Sequence, residues 1–165
     1  MNRTSNCFFA LAALITTMMI IIICLFERPA HASLQSRRVV VDGNTGNALY
    51  GYDPVAYFTD HAAIRGKRSL GYTWKGVTWL FSSQANRAVF QADPEVYAPQ
   101  YGGHGALAMA RGYVSNSNPL VWAIYRGRLF LFYSFTARAA WVEAIDLHIK
   151  RSDINWTELE GTLAR

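Results

Sequence analysis

Two stretches of the chain carry the same run of apolar and polar positions. Ser69–Trp74 and Val77–Phe81 are rich in β-branched and aromatic residues, with Lys75-Gly76 between them. That pattern predicts a β-hairpin closed by a tight turn. Ser82 or Ser83 then stands where a helix cap is needed. Ala85, Ala88, Val89 and Ala92 follow at helical spacing, with Phe90 flanking them. The rhythm returns in Val121–Tyr125 and Arg128–Tyr133 around Arg126-Gly127. Thr136 then reads as the cap of the longest helix, Ala137 to Arg151. Ala140, Trp141, Ala144, Ile145 and His148 lie near one of its faces. Trp156 and Leu159 anchor a short tail. Side-chain identity between the halves is too low to read them as a repeat.

Asp93–Ala106, with Pro94, Pro99 and three glycines, joins the halves. Asp93-Pro94 ends the first helix or restarts it. Ala106–Arg111 predicts a small-residue helix stopped by Gly112. Upstream, Val39–Val41 reads as a short edge strand. Asp42–Asn47 is turn chemistry. Asp53-Pro54 opens a short helix over Val55–Phe58, with Asp53 as its cap. The fold class is therefore α+β. Two antiparallel β-hairpins form a small sheet, packed against several short helices and one longer C-terminal helix. No strand is followed by a crossover helix and a second strand, which excludes a parallel sheet.

The first residues follow another logic. Cys7–Phe26 is apolar except for Thr16 and Thr17, and Ala30-His31-Ala32 follows soon after. Residues 1–32 read as a secretory signal cleaved after Ala32, or as a membrane anchor retained through Cys7–Phe26. Both readings place the domain outside the cytoplasm: exported, in the periplasm or extracellular, or anchored to the inner membrane. Residues 33–48 read as a leader or linker, and 49–160 as the domain.

Composition narrows the chemistry. Both cysteines, Cys7 and Cys24, lie in the apolar run. Disulfides, thiolate metal sites and cysteine nucleophiles are therefore not expected in the domain. From Ser33 onward 14 basic residues face 10 acidic ones, scattered rather than blocked. Nucleic-acid binding is not expected from such a distribution.

The spaced motifs Gly51-Tyr52-Asp53-Pro54-Val55-Ala56-Tyr57-Phe58, Trp79-Leu80-Phe81-Ser82-Ser83, Asn86, Phe90, Pro94, Tyr97, Pro99, Gln100 and Tyr101-Gly102-Gly103 resemble the YHS domain family. The likeness runs from Leu49 to Leu159 and is nearest to the exported bacterial branch of single-domain proteins, some of them selenoproteins. The resemblance also shows what has changed. Metal-handling members carry cysteines where this chain has Ala56, Ser82 and Asn86. The exported branch often has a Cys or selenocysteine where Gly105 stands, and a Tyr in place of His104. The resemblance thus implies a scaffold without its usual thiol ligands, with Ser82 kept as a cap and Asn86 as a polar helix-face residue. Soft metals prefer thiolate, and hydroxyl or amide groups are weak substitutes.

The candidate site residues are His104, Tyr97, Tyr101 and Trp79. His104 stands between glycines and could serve as an imidazole ligand or proton donor, or as a hydrogen-bonded loop residue. Tyr97 and Tyr101 could line a pocket with it and with Trp79, or pack the loop. His61 reads as surface and His148 as part of the last helix. Asp53 and Asp93 could be acids or bases but suit caps better. The glycine-rich run before Ala106 is a weak anion signal. No Gly-x-Ser-x-Gly or His-Glu-x-x-His occurs. The expectation is a non-catalytic binding or accessory module with no thiolate-bound metal. Its partner would be an unidentified small ligand or a periplasmic or membrane protein. A metal or haem held by His104 with tyrosine oxygens is the alternative, and an enzyme using His104 as acid or base is the second.

Overall fold

The computed structural model describes residues 37–163. The predicted signal or anchor over 1–32, and leader residues 33–36, lie outside them. Among the described residues no helix is long and apolar enough to cross a membrane.

The two predicted hairpins form as expected. β1 (Lys67–Trp74) pairs antiparallel with β2 (Val77–Phe81), and β3 (Asn118–Tyr125) with β4 (Arg128–Phe132). Each is a two-stranded sheet of its own. Lys75 and Gly76 both take positive φ (50° and 77°), as do Arg126 and Gly127 (49° and 72°). Both positions of a two-residue hairpin turn need that conformation to match the strands' twist.

The helices are short: α1 (Ala56–Thr59), α2 (Gln84–Ala92), α3 (Pro94–Tyr97), α4 (Ala106–Ala110), α5 (Phe135–Val142) and α6 (Ile145–Leu159). Ser83 caps α2 by accepting from the Asn86 amide at 3.1 Å. Ala85, Ala88, Val89 and Ala92 face outward, against expectation, and Phe90 is the buried residue. One large ring outweighs several small side chains as apolar area to bury. Asp93 makes no side-chain capping bond at α3. The long C-terminal helix differs in three ways. Ser134, not Thr136, is the cap, accepting from the Ala137 amide at 3.1 Å. The helix breaks at Ala144 (φ −150°, ψ 59°). Its second part reaches Leu159, so Trp156 lies within a helix rather than on a tail. Gly112 closes α4 in a Schellman motif: the Tyr113 amide donates to Ala108 O and the Gly112 amide to Met109 O.

Val39–Val41 forms a single bridge, Val41 to Ala48, rather than a strand. The described part of the predicted leader is nonetheless built in. Val39, Val40 and Ala48 are buried, and the Val40 amide donates to Gly102 O at 2.8 Å. At Gly102 a Cβ would fall 1.7 Å from Arg38 O, so only glycine admits this arm.

The halves do repeat. Adding 51 to a residue number in the first half gives its counterpart in the second. Tyr50-Gly51 and Tyr101-Gly102 are left-handed pairs, as are the turns Lys75-Gly76 and Arg126-Gly127. The strand register slips at the same place, between Lys67 and Gly71 and between Asn118 and Trp122. Ser83 and Ser134 are both caps, and Asp93 (φ −149°, ψ 79°) matches Ala144. Side-chain contacts match too. Lys75–Glu95 (2.8 Å) corresponds to Arg126–Asp146 (3.3 Å). Phe90 packs on Trp74, Trp79 and Phe81 as Trp141 packs on Tyr125, Phe130 and Phe132.

Each half has its own core, one around Phe90 and one around Trp141. β4 serves both. Leu129 and Leu131 belong to the first core, Phe130 and Phe132 to the second, and all four are fully buried. A strand's side chains alternate between its faces, so one strand can fill two cores.

Candidate functional site

The three positions where the resemblance expects sulfur meet in space, around a residue read above as a cap. Asp53 does cap α1: its Oδ1 accepts from the amides of Val55 (2.9 Å) and Ala56 (3.4 Å). Its Oδ2 accepts from the Ser82 amide (2.8 Å), the Ser82 hydroxyl (2.7 Å) and the Asn86 side-chain amide (2.8 Å). Asn86 also donates to Ser82 Oγ at 3.3 Å. Asp53 is fully buried. Ser82 is therefore not a cap, and Asn86 is more than a polar helix-face residue. Five donors fill the carboxylate's acceptor sites, which makes a hydrogen-bonded knot and offers no lone pair to a metal. The motif signal for this hub was present in Asp53, Ser82 and Asn86, but their convergence depends on how β2 and α2 pack.

His104 is buried, at 3 % exposure. Its Nδ1 lies 3.2 Å from Ser115 O and its Nε2 2.7 Å from Arg37 O. Both partners are carbonyl acceptors; the neutral ring has a single N–H to donate, and the shorter contact, to Arg37 O, ties it to the arm. His148 Nδ1 lies 2.9 Å from Trp141 O, and His61 is exposed. The three histidines do not meet. Among the described residues no group of three His, Cys, Asp or Glu side chains is placed to hold a metal.

Two of the four candidates share a cavity. Trp79 and Tyr101 line a space of about 640 Å³ together with Trp74, Trp156, Pro99 and Gln100. Trp79 donates from Nε1 to Trp74 O at 3.2 Å. The Tyr101 hydroxyl donates to Asp153 Oδ1 at 2.9 Å, and Asp153 is paired with Arg128 at 2.7 Å. Burial, then the bond to Asp153, pushes the Tyr101 hydroxyl well above the usual tyrosine range. Tyr101 sits in the left-handed region (φ 57°), which fixes its ring between Phe130 and Trp156. His104 stands behind this wall, 6.1 Å from the Trp156 ring, and does not line the cavity. Tyr97 lies elsewhere, edge-on to Phe58 at 5.4 Å. Trp74, Trp156 and Gln100 lie at a turn, on the last helix and at the join, and no motif marks them as neighbours in the sequence.

The rim carries both signs of charge: of its acids, Glu95 and Asp153 are paired with Lys75 and Arg128, while Glu160 makes no ion pair among the described residues. Three indoles and a phenol make the wall suited to a flat apolar ligand.

No curated protein and no solved structure matches the chain. A family model does match, over residues 55–101, the stretch that begins at the Asp53 knot and ends at the cavity's Tyr101. That model is the YHS domain, so the chain carries a YHS domain at residues 55–101.

Proposed function

We propose that this protein is an exported binding or accessory module, without catalysis of its own, whose ligand site is the aromatic cavity at Trp79 and Tyr101. The observation behind this reading is the contrast between two places. The positions assigned to sulfur by resemblance are filled by the Asp53 knot. The cavity is walled by Trp74, Trp79, Tyr101 and Trp156. The first has become structure, and the second keeps the shape and surface of a small-molecule site. Export rests on the apolar run closed by Ala30-His31-Ala32, with anchoring to the inner membrane through Cys7–Phe26 as the other form. A metal or haem on His104 would require one ring nitrogen to give up its carbonyl contact, to Arg37 O or to Ser115 O, and among the described residues no cluster of His, Cys, Asp or Glu side chains stands beside it to complete a site.

The test uses the full chain in detergent. Anilinonaphthalene sulfonate, a flat apolar probe, should bind and take up energy from the cavity tryptophans. Trp74→Ala should weaken that binding while the protein stays folded. Zinc, copper(I) and haem titrations should give no stoichiometric uptake. Stoichiometric metal or haem, or probe binding indifferent to Trp74, would sink the reading.

A further inference from the structure

The repeat allows the two halves to be compared position by position. Asp53 corresponds to His104, Ala56 to Leu107, Ser82 to Tyr133 and Asn86 to Ala137. In the first half the Asp53 carboxylate occupies the space between α1, β2 and α2. In the second half His104 turns away to Arg37 O and Ser115 O. Asn86's amide has become the methyl of Ala137. The equivalent space is open: a pocket of about 300 Å³ lined by Leu107, Phe132, Tyr133, Ala137, Ser115 and Arg111, among others.

The polar groups left around that space can all donate. The Tyr133 amide is the counterpart of the Ser82 amide, which donates to Asp53 at 2.8 Å. Among the described residues the Tyr133 amide has no partner. Ser115 Oγ is buried and also has none. Arg111 makes no ion pair among the described residues. No acidic residue lines the pocket, unlike the larger cavity. A buried hydroxyl without a partner is costly unless something fills its bonding capacity. The rest of the wall is apolar.

We infer that the second half binds a small monocarboxylate with an apolar body, its carboxylate standing where Asp53's carboxylate stands in the first half. The ligand's oxygens accept from the Tyr133 amide and the Ser115 hydroxyl, Arg111 supplies charge at the mouth, and Phe132, Leu107 and Ala137 cover the body. The first half carries its anion covalently and the second recruits one from solution. This site is separate from the Trp79–Tyr101 cavity and does not depend on it.

Gly105 provides the means of blocking it. A Cβ there would come 2.6 Å from Ser115 Oγ, while the backbone (φ −61°, ψ 115°) accepts alanine. The experiment follows amide shifts of the full chain in detergent as benzoate is added, with benzamide as the uncharged control. Benzoate should shift Tyr133 and Ser115, and benzamide should not. Arg111→Gln, an exposed change, should weaken benzoate about tenfold, the loss of one charge-assisted contact. Gly105→Ala should abolish the shifts with the fold intact, as read from the unchanged remainder of the spectrum. No benzoate shift at Tyr133, equal shifts with benzamide, or shifts confined to Trp74 and Trp156 would overturn the assignment. The last outcome would leave the aromatic cavity standing as a site, so the two readings fail separately.

Discussion

The two halves share a backbone and differ at its centre. In both, a left-handed Tyr-Gly pair leads into a buried polar residue, and a seryl cap and a large ring close the far side. In the first half the polar residue is Asp53, turned inward to five donors. In the second it is His104, turned outward to two carbonyls. The frame therefore does not depend on what sits at the hub. Hairpin, cap and aromatic plug hold the shape, and the hub is left to vary in chemistry.

The largest test of that view is the plug. Phe90→Ala and Trp141→Ala should each cost about 3–5 kcal/mol, the usual range for emptying a buried aromatic site. Denaturant unfolding of both variants checks it. If one is tolerated and the other is not, the two cores are not equivalent.

The hubs themselves should separate more sharply. Asp53→Asn keeps size but turns an amide nitrogen toward donors, and should cost about 2–3 kcal/mol as charge-assisted bonds are lost. His104→Asn gives up two contacts to carbonyls that can reach water once the arm loosens, and should cost about 1 kcal/mol. Equal losses would mean that the hubs carry equal weight and that the contrast drawn between them is wrong.

The smallest effect is alkaline. Burial raises the hydroxyls of Tyr57 and Tyr101 above the ordinary tyrosine value, and the bond to Asp153 adds to the rise at Tyr101. A raised value in the folded state means that folding favours the neutral phenol. Stability is then whole below about pH 10, the unfolded value, and is lost as pH rises from there toward the folded one. Tyr101→Phe should make that alkaline loss shallower, as followed by circular dichroism. An unchanged slope would place the sensitivity elsewhere.

What could be read from the sequence depended on the kind of signal. The hairpins were legible because Lys75-Gly76 and Arg126-Gly127 are local turn signals between β-rich runs. The cap at Ser134 was missed because Thr136 is an equally good capping residue and only the strand's end at Phe132 decides between them. The repeat was hidden because its counterparts are alike in kind rather than identity: Trp74 and Tyr125, Lys75 and Arg126, Phe90 and Trp141, Glu95 and Asp146. What repeats is backbone conformation and contact, which one-letter identity does not register. Of the candidate site, Trp79 and Tyr101 were found in their cavity. His104 was singled out for its glycine neighbours, although its ring is spent on backbone. The Asp53 knot required tertiary contacts that no spacing rule supplies.

The double service of β4 bears on how this protein comes apart. Its leucines complete the first core and its phenylalanines the second, so neither half can lose the strand alone. Amide hydrogens of both hairpins should exchange through one common opening rather than through two independent ones. A fragment ending at Tyr101, where the family match stops, would lack Leu129 and Leu131 and leave the first core incomplete. The boundary of the recognised domain is thus not a boundary of cooperative folding, because the second hairpin completes the core of the first.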